Sequence, residues 1–173
     1  MKLLVFGAST SSTSINRQLA NHAARQVPRA EITDLDLKQY SLPIYSSDEE
    51  EAHGIPSDAK AFKAEIESHD GIVLSLAEHN GSYSTAFKNL YDWTSRIDSA
   101  VWSNKPILLL ATSPGGRGGA SVLAAAQATF PHMGADLKAT FSLPSFYDNF
   151  SADGITDPAL AQELKDAVAT FAG

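Results

Sequence analysis

The start of the chain, residues 2–16, constrains the fold more than any other stretch. It reads KLLVFGASTSSTSIN, in which an apolar run at Leu3–Phe6 ends abruptly in the hydroxyl-rich segment Ser9–Ser14. After this segment apolar residues recur every fourth position, as they do on one face of a helix: Ile15, Leu19, Ala23 and Val27. The stretch therefore predicts a strand, a loop and a helix, in that order.

The hydroxyl-rich segment has two alternative roles. The first backbone N–H groups of a helix lack partners and lie at the positive end of the helix dipole, so they can bind an anion such as a phosphate. The consecutive serines and threonines would add neutral donors around it. Alternatively, Ser14 only caps the helix and the rest of the segment is a flexible loop. Taken alone, the stretch leaves both alternatives open.

The rest of the chain continues to alternate between strand and helix patterns. Apolar runs or period-two alternation predict four further strands, at Glu31–Leu37, Gly71–Ala77, Pro106–Ala111 and Asp136–Leu143. Helical patterns begin near Ser57, Ser84, Ala120 and Pro158. Between them lies one long polar loop, Lys38–Pro56. We interpret residues 1–173 as a single α/β domain, in which a parallel sheet carries helices on both faces.

A parallel sheet of this kind binds its ligand at the carboxyl ends of the strands, where the strand order reverses. Loops rich in Gly, Ser and Asn follow three of the predicted strands, at Ser9–Ser14, Glu78–Ser82 and Ser113–Gly119. Such loops suit a site made of backbone amides and hydroxyl groups. Their convergence favours the anion-binding role of the first loop.

Composition excludes several other classes of protein. The 173 residues contain no cysteine, which rules out disulfides and thiolate chemistry and fits a cytoplasmic protein. A formal net charge of −7 argues against nucleic-acid or anionic membrane partners, and no apolar run approaches the roughly 20 residues of a membrane helix. The histidines lack metal-ligand spacing, and we interpret the acidic run Asp48–Glu51 as a solvated loop, so no metal site is expected.

Other phosphate-binding sites on this architecture lack their required residues. A dinucleotide site of the G-x-G-x-x-G type needs more than the lone Gly7, and the G-x-x-x-x-G-K-[ST] motif is absent. A phosphatase loop would need a cysteine, and a receiver domain would need acidic residues where Gly7 and Ala8 stand. A flavin mononucleotide (FMN) site remains.

Three motifs resemble those of the NAD(P)H-dependent FMN reductases, a group that includes quinone, azo-dye and chromate reductases. The sequence ASTSSTSIN at residues 8–16 is similar to the family's Gly-Ser-x-Arg-x-x-Ser-x-Asn, with Ser11 in place of the arginine. Residues 77–93, AEHNGSYSTAFKNLYDW, resemble the second motif, of which Lys-Asn-x-x-Asp-Trp is the most specific part. SPGGRGG at residues 113–119 matches a glycine-rich loop. The resemblance implies a flavodoxin-like three-layer sandwich with strand order 2-1-3-4-5.

The resemblance also implies a set of FMN-binding residues. It predicts the phosphate cradle at Ser9, Ser11, Ser14, Ile15 and Asn16, and this cradle is neutral because Ser11 replaces the arginine. The second loop is expected along the ribityl chain and one edge of the flavin ring, at Glu78, His79, Asn80, Gly81 and Ser82. The third is expected at the pyrimidine side of the ring, at Ser113, Gly115, Gly116, Arg117 and Gly118. Whether Arg117 contacts flavin, NAD(P)H or solvent stays open.

The expected activity is that of an oxidoreductase that passes a hydride from NADPH or NADH to FMN and then two electrons to a quinone-like or other small acceptor. The flavin would supply the chemistry, so no catalytic side chain is assigned. The resemblance further implies a homodimer or homotetramer. The alternative is a flavodoxin-like electron carrier that docks on a partner protein without turning over NAD(P)H, and the net acidity suits it.

Overall fold

A computed structural model describes residues 1–173. The strands are β1 (Lys2–Gly7), β2 (Glu31–Asp34), β3 (Gly71–Leu76), β4 (Glu78–His79), β5 (Ser82–Tyr83), β6 (Pro106–Thr112), β7 (Asp136–Leu143), β8 (Phe150–Ser151) and β9 (Gly154–Ile155). The α-helices are α1 (Ile15–Ala24), α2 (Ser47–His53), α3 (Ser57–Ser68), α4 (Thr85–Ser95), α5 (Ala120–Thr129), α6 (Phe146–Asn149) and α7 (Pro158–Ala172). Short 3-10 helices cover Leu37–Gln39 and Phe130–Met133.

The main sheet confirms the predicted topology. Its five strands are parallel and follow the order β2-β1-β3-β6-β7, which is the predicted 2-1-3-4-5 when only these strands are numbered. The order reverses between β1 and β3, so the carboxyl ends of these two strands flank the position where such a sheet binds ligands.

Two hydrophobic cores lie on opposite faces of this sheet, which gives the three layers. The alternating side chains of β1 separate them: Leu4 and Phe6 pack with Phe62 of α3 and Leu90 of α4, whereas Leu3 and Val5 pack with residues of α1 and α7. Strand β3 is buried along its whole length, as expected for a strand covered on both faces.

The second strand ends earlier than predicted. The sequence alternates through Leu37, but β2 ends at Asp34. Asp34 instead binds Arg17 of α1, and Asp36 accepts a hydrogen bond from the Lys38 N–H and caps a 3-10 turn. The polar residues of the alternating pattern therefore form an ion pair, at Asp34, and a helix cap, at Asp36.

The expectation of an unstructured polar loop at residues 38–56 is wrong in part. Ser46 accepts a hydrogen bond from the Glu49 N–H and caps α2, and Asp48, Glu49 and Glu50 of the acidic run lie in the first turn of this helix. Negative side chains are favourable there because they face the positive end of the helix dipole.

No helix combines the length and the apolar character needed to cross a lipid bilayer.

Candidate functional site

The loop after β1 is held tightly at both ends. A Cβ atom on Gly7 would collide with the backbone nitrogen of Arg17, so the glycine lets α1 start directly against the strand end. At the other end, the Ser14 hydroxyl accepts a hydrogen bond from the Arg17 N–H at 3.1 Å and caps α1. The capping role considered from sequence is therefore real, and it leaves the Ser14 O–H free to donate.

The same loop has a surplus of backbone donors. The N–H groups of Thr10, Ser12, Thr13, Ile15 and Asn16 donate to no acceptor in the protein. Ser9 and Ser11 bind within the loop: the Ser9 N–H donates to the Gly7 carbonyl, and the Ser11 N–H to the Ser9 hydroxyl. Unpaired N–H groups at the start of a helix form an anion site, so this loop can hold a phosphate.

The cleft beside this loop has no lysine or arginine among its lining residues, and Arg17, which follows the loop, is already paired. Arg17 forms ion pairs of 2.9 Å with Asp34 and with Asp36. The hydrogen bond to Asp34 raises the pKa of the Arg17 guanidinium, and the two carboxylates offset its charge. The cradle therefore relies on amides, hydroxyls and the helix end.

Asn16 connects the loop to the neighbouring strands. Its buried side chain donates to the Thr112 carbonyl at 3.1 Å and accepts from the Thr112 N–H at 3.0 Å and the Ser75 hydroxyl at 2.7 Å. The amide thus ties the start of α1 to the carboxyl ends of β3 and β6. The Asn16 side chain positions the loop, and its backbone N–H remains available.

The second wall of the cleft is a β-hairpin that the sequence analysis did not predict. Strands β4 and β5 pair antiparallel, and Asn80 and Gly81 form the turn with φ of 52° and 76°. Glu78 and His79 line the cleft, whereas Asn80, Gly81 and Ser82 lie exposed around the turn. The Glu78 carboxylate accepts a hydrogen bond of 2.9 Å from the Val122 N–H of α5.

The third wall is the glycine-rich loop after β6. The N–H groups of Gly115, Gly116 and Arg117 are unpaired within the protein, whereas Gly118, with φ of 57°, packs so closely on Ser142 that no Cβ fits. The Arg117 guanidinium donates to Ser121 one turn along and is otherwise exposed. The loop offers backbone donors at the cleft edge, and its glycines permit close contact.

Not all predicted site residues meet in one place. A cleft of about 280 Å³ brings together Ser9, Ser11, Ser14, Ile15, Asn16, Glu78, His79 and Ser113. It is not lined by Asn80, Gly81, Ser82, Gly115, Gly116, Arg117 or Gly118. It also includes residues that the sequence analysis missed: Thr13, Ala77, Thr112, Pro114 and Tyr147.

Tyr147 is the most prominent of the missed residues. It belongs to α6 and is 71% exposed, and it lines both this cleft and a neighbouring open depression of about 740 Å³ that runs along one face of α1. No motif marks it, but α6 follows the carboxyl end of β7. Its place at the same sheet edge was the signal that could have indicated it.

The specific Lys-Asn-x-x-Asp-Trp sequence has a structural role. The Asn89 side-chain amide and the Trp93 ring N–H both donate to the Pro43 carbonyl, at 2.9 and 2.8 Å, and Tyr45 packs edge-on against Trp93. Lys88 pairs with Asp92 across one helical turn. Helix α4 thereby fixes the 40–46 loop, which borders a second cavity of about 470 Å³ that also includes His79.

Known proteins share both the sequence pattern and the fold. The family model for NADPH-dependent FMN reductase matches residues 1–148. The chain is 35% identical over 120 residues to a 2-hydroxy-1,4-benzoquinone reductase of Burkholderia sp.. The matched segment covers 68% of this chain and 63% of that protein. It is 29% identical over 160 residues to the NADPH:quinone oxidoreductase of Arabidopsis thaliana, which covers 90% and 80%.

Among solved structures, the chain superimposes on the flavoenzyme NAD(P)H:(acceptor) oxidoreductase FerB from Paracoccus denitrificans. The TM-score is 0.76 at 27% identity, with 99% of this chain and 94% of that chain covered. The flavodoxin of Pseudomonas aeruginosa matches with a TM-score of 0.56 at 16% identity, which concerns the fold alone. The chain spans less than two thirds of the length of the Burkholderia relative.

Proposed function

Because the chain belongs to the NADPH-dependent FMN reductase family, we propose that it is an FMN-dependent oxidoreductase that takes a hydride from NADPH or NADH. We propose that it then passes two electrons to a quinone-like or other small acceptor. The observation that carries this proposal is the group of unpaired backbone N–H donors after β1, which opens onto the cleft at the switch point of the sheet.

The residues present fit FMN. The phosphate would be held by the unpaired N–H groups of Thr13 and Ile15 and by the Ser14 O–H, while Ser9 and Ser11 border the same cleft. The Gly7 position supports this because it admits no Cβ atom and brings the helix end against the strand end. Asn16 contributes its backbone N–H and keeps the loop in place.

The flavin ring and its ribityl chain would lie between the other two walls. Glu78 and His79 form one wall, and Ser113 and Pro114 form the other, with the unpaired amides of Gly115 to Arg117 beyond its edge. We propose that Asn80, Gly81, Ser82 and Gly118 act by shaping these walls, since Asn80 and Gly81 form the hairpin turn, Ser82 begins β5, and Gly118 packs on β7. Arg117, exposed at the rim, is available to a substrate phosphate.

Bound FMN would supply the hydride and electron chemistry, as flavins do in other oxidoreductases. The chain's own residues bind the phosphate, orient the ring and shape the opening through which both substrates enter. No acid–base side chain is assigned to the reaction.

The relatives guide the remaining proposals. Since the relatives described above are named as quinone reductases, and a further relative from Bacillus sp. is named as an NADPH azoreductase, we propose an acceptor of these classes, with NADPH or NADH as donor. We also propose that residues 1–173 form one FMN-binding domain of a cytoplasmic homodimer or homotetramer.

One experiment tests the activity. The purified protein is loaded with FMN, and NADPH or NADH oxidation is followed at the nicotinamide absorbance band with benzoquinone or ferricyanide as acceptor. We expect flavin absorbance after purification or loading, and nicotinamide oxidation that depends on the acceptor. Tight FMN binding with no oxidation by any acceptor would refute the reductase and favour the electron carrier; failure to bind FMN would refute both.

A further inference from the structure

Helix α5 begins without a side-chain cap of its own. Its N-cap residue is Gly119, which has a φ of 76° and no side chain to offer. The cap comes instead from Glu78, which lies 44 residues earlier in the chain and accepts a hydrogen bond of 2.9 Å from the N–H of Val122. A carboxylate is a favourable cap at this position, because it also faces the positive end of the helix dipole.

This contact joins two walls of the cleft. Glu78 sits on β4 at the base of the hairpin, and the glycine-rich loop leads directly from β6 into α5. The carboxylate therefore fixes the distance between the hairpin wall and the loop that includes Ser113 and Pro114. Glu78 is partly exposed and itself lines the cleft.

The Glu78 charge is also unusual in its surroundings. It takes part in no ion pair, and the cleft contains no lysine, arginine or second carboxylate. The end of α5 offsets it only in part, since a helix end corresponds to about half a unit charge. Arg117, which donates to Ser121 at the same helix end, is exposed and lies outside the cleft, so a net negative potential remains on the cleft side of this wall.

We propose that Glu78 is a positioning residue that clamps the hairpin to α5 and lowers the electron affinity of the flavin held between them. This inference rests on the proposed function. Reduced flavin carries an additional negative charge at neutral pH, so a fixed carboxylate nearby disfavours it relative to the oxidised form. The chain would thereby keep its flavin a strong donor toward small acceptors.

The size of the effect follows from Coulomb's law. Two unit charges at an assumed separation of about 12 Å and an effective dielectric constant of about 20 would change an equilibrium constant about tenfold, and solvent in the open cleft reduces this to about threefold. Neutralising Glu78 should therefore strengthen the binding of reduced FMN about threefold relative to oxidised FMN. For a two-electron couple, that ratio corresponds to about 15 mV in the midpoint potential.

Three variants separate the charge from the clamp. Glu78→Gln keeps an oxygen that can accept from Val122 and removes the charge, whereas Glu78→Ala removes both. Glu31→Gln is the matched control, because Glu31 is exposed at the opposite end of the sheet, where β2 begins, and it also loses one negative charge.

The measurements are the dissociation constants of oxidised and reduced FMN under anaerobic conditions, the midpoint potential, and the hydrogen exchange of the Val122 amide in the flavin-free protein. We expect the potential of Glu78→Gln to rise and that of Glu31→Gln to match the wild type. We expect exchange at Val122 to accelerate in Glu78→Ala, and FMN in both redox states to bind it more weakly.

The outcomes distinguish this inference from the proposed function. If the wild type binds FMN and Glu78→Gln has the same potential as Glu31→Gln, the electrostatic role is wrong and the proposed function stands. If the Val122 amide exchanges equally fast in Glu78→Ala and in the wild type, the clamp is wrong. If the wild type does not bind FMN, the proposed function fails and this inference fails with it.

Discussion

Ser14→Asp provides a sharp test of the phosphate cradle, because it changes the charge of the loop while keeping the helix cap. The Ser14 hydroxyl caps α1 through the Arg17 N–H, and aspartate is as good an N-cap residue as serine. The variant should therefore fold with α1 intact. Its new carboxylate would stand directly beside the position proposed for the phosphate.

The magnitude can be worked out from this geometry. Two unit charges about 4 Å apart repel by about 4 kcal/mol at an effective dielectric constant of about 20. The cleft is open to solvent, which screens the pair, so we take about 2 kcal/mol for the loss of binding free energy. FMN affinity should then fall about 30-fold, and raising the salt concentration should recover part of it.

Riboflavin is the internal control, since it lacks the phosphate and is otherwise the same ligand. Fluorescence titrations of the wild type, Ser14→Asp and Ser14→Ala with FMN and with riboflavin measure the effect. We expect Ser14→Asp to lose affinity for FMN and to keep its affinity for riboflavin, with Ser14→Ala in between. Equal losses for both ligands, or no loss for either, would refute the cradle.

Three other predictions concern the scaffold. Lys63→Met should lower the free energy of unfolding by about 3 kcal/mol in urea denaturation. The reason is that the buried Lys63 ammonium donates hydrogen bonds to two backbone carbonyls and a hydroxyl in the loop before β6. An unchanged urea midpoint would contradict this role. Gly118→Ala should lower the free energy of unfolding by about 1–3 kcal/mol, since the φ of Gly118 is positive and the new Cβ would meet the Ser142 hydroxyl. Gly115→Ala should lower it much less, because no atom lies near the Gly115 Cβ position. Equal urea midpoints for the two variants would contradict the packing at Gly118. Burial, and then the charge of a neighbouring arginine, lower the pKa of His22 below 6.5. The unfolded chain therefore binds the proton at a higher pH than the folded chain, and the free energy of unfolding should fall as the pH drops below about 6.5. His22→Gln should flatten this part of the plot of urea midpoint against pH, and an unchanged plot would contradict the role of His22.

The sequence predicts the sheet well because its signals there are local and repeated. Apolar runs followed by Gly- and Ser-rich loops indicate parallel strands, and the order of β2-β1-β3-β6-β7 agrees with the family resemblance. The hairpin was missed because its strands have two residues each, although Asn80-Gly81 is a strong signal for such a turn. Helix α2 was missed although Ser46 and the acids after it are typical of a helix start.

Other parts of the site depend on contacts that no local pattern encodes. Asn16 meets Thr112 across 96 residues, and Glu78 meets Val122 across 44. These pairings arise only after the sheet has brought the strand ends together. The resemblance indicated that Asn16 matters, but only the structure assigns its side chain to the strand ends.

Because of the way α4 holds the 40–46 loop, the position of the loop and the identity of its side chains are largely independent. Asn89 and Trp93 grip the loop by the main-chain oxygen of Pro43, so the anchoring does not depend on which side chains the loop carries. The flanking Leu42 and Ile44 border the outer cavity, whereas the anion loop lies across from them. Substitutions at Leu42 and Ile44 would therefore change the shape of the outer cavity while the Pro43 anchor stays in place.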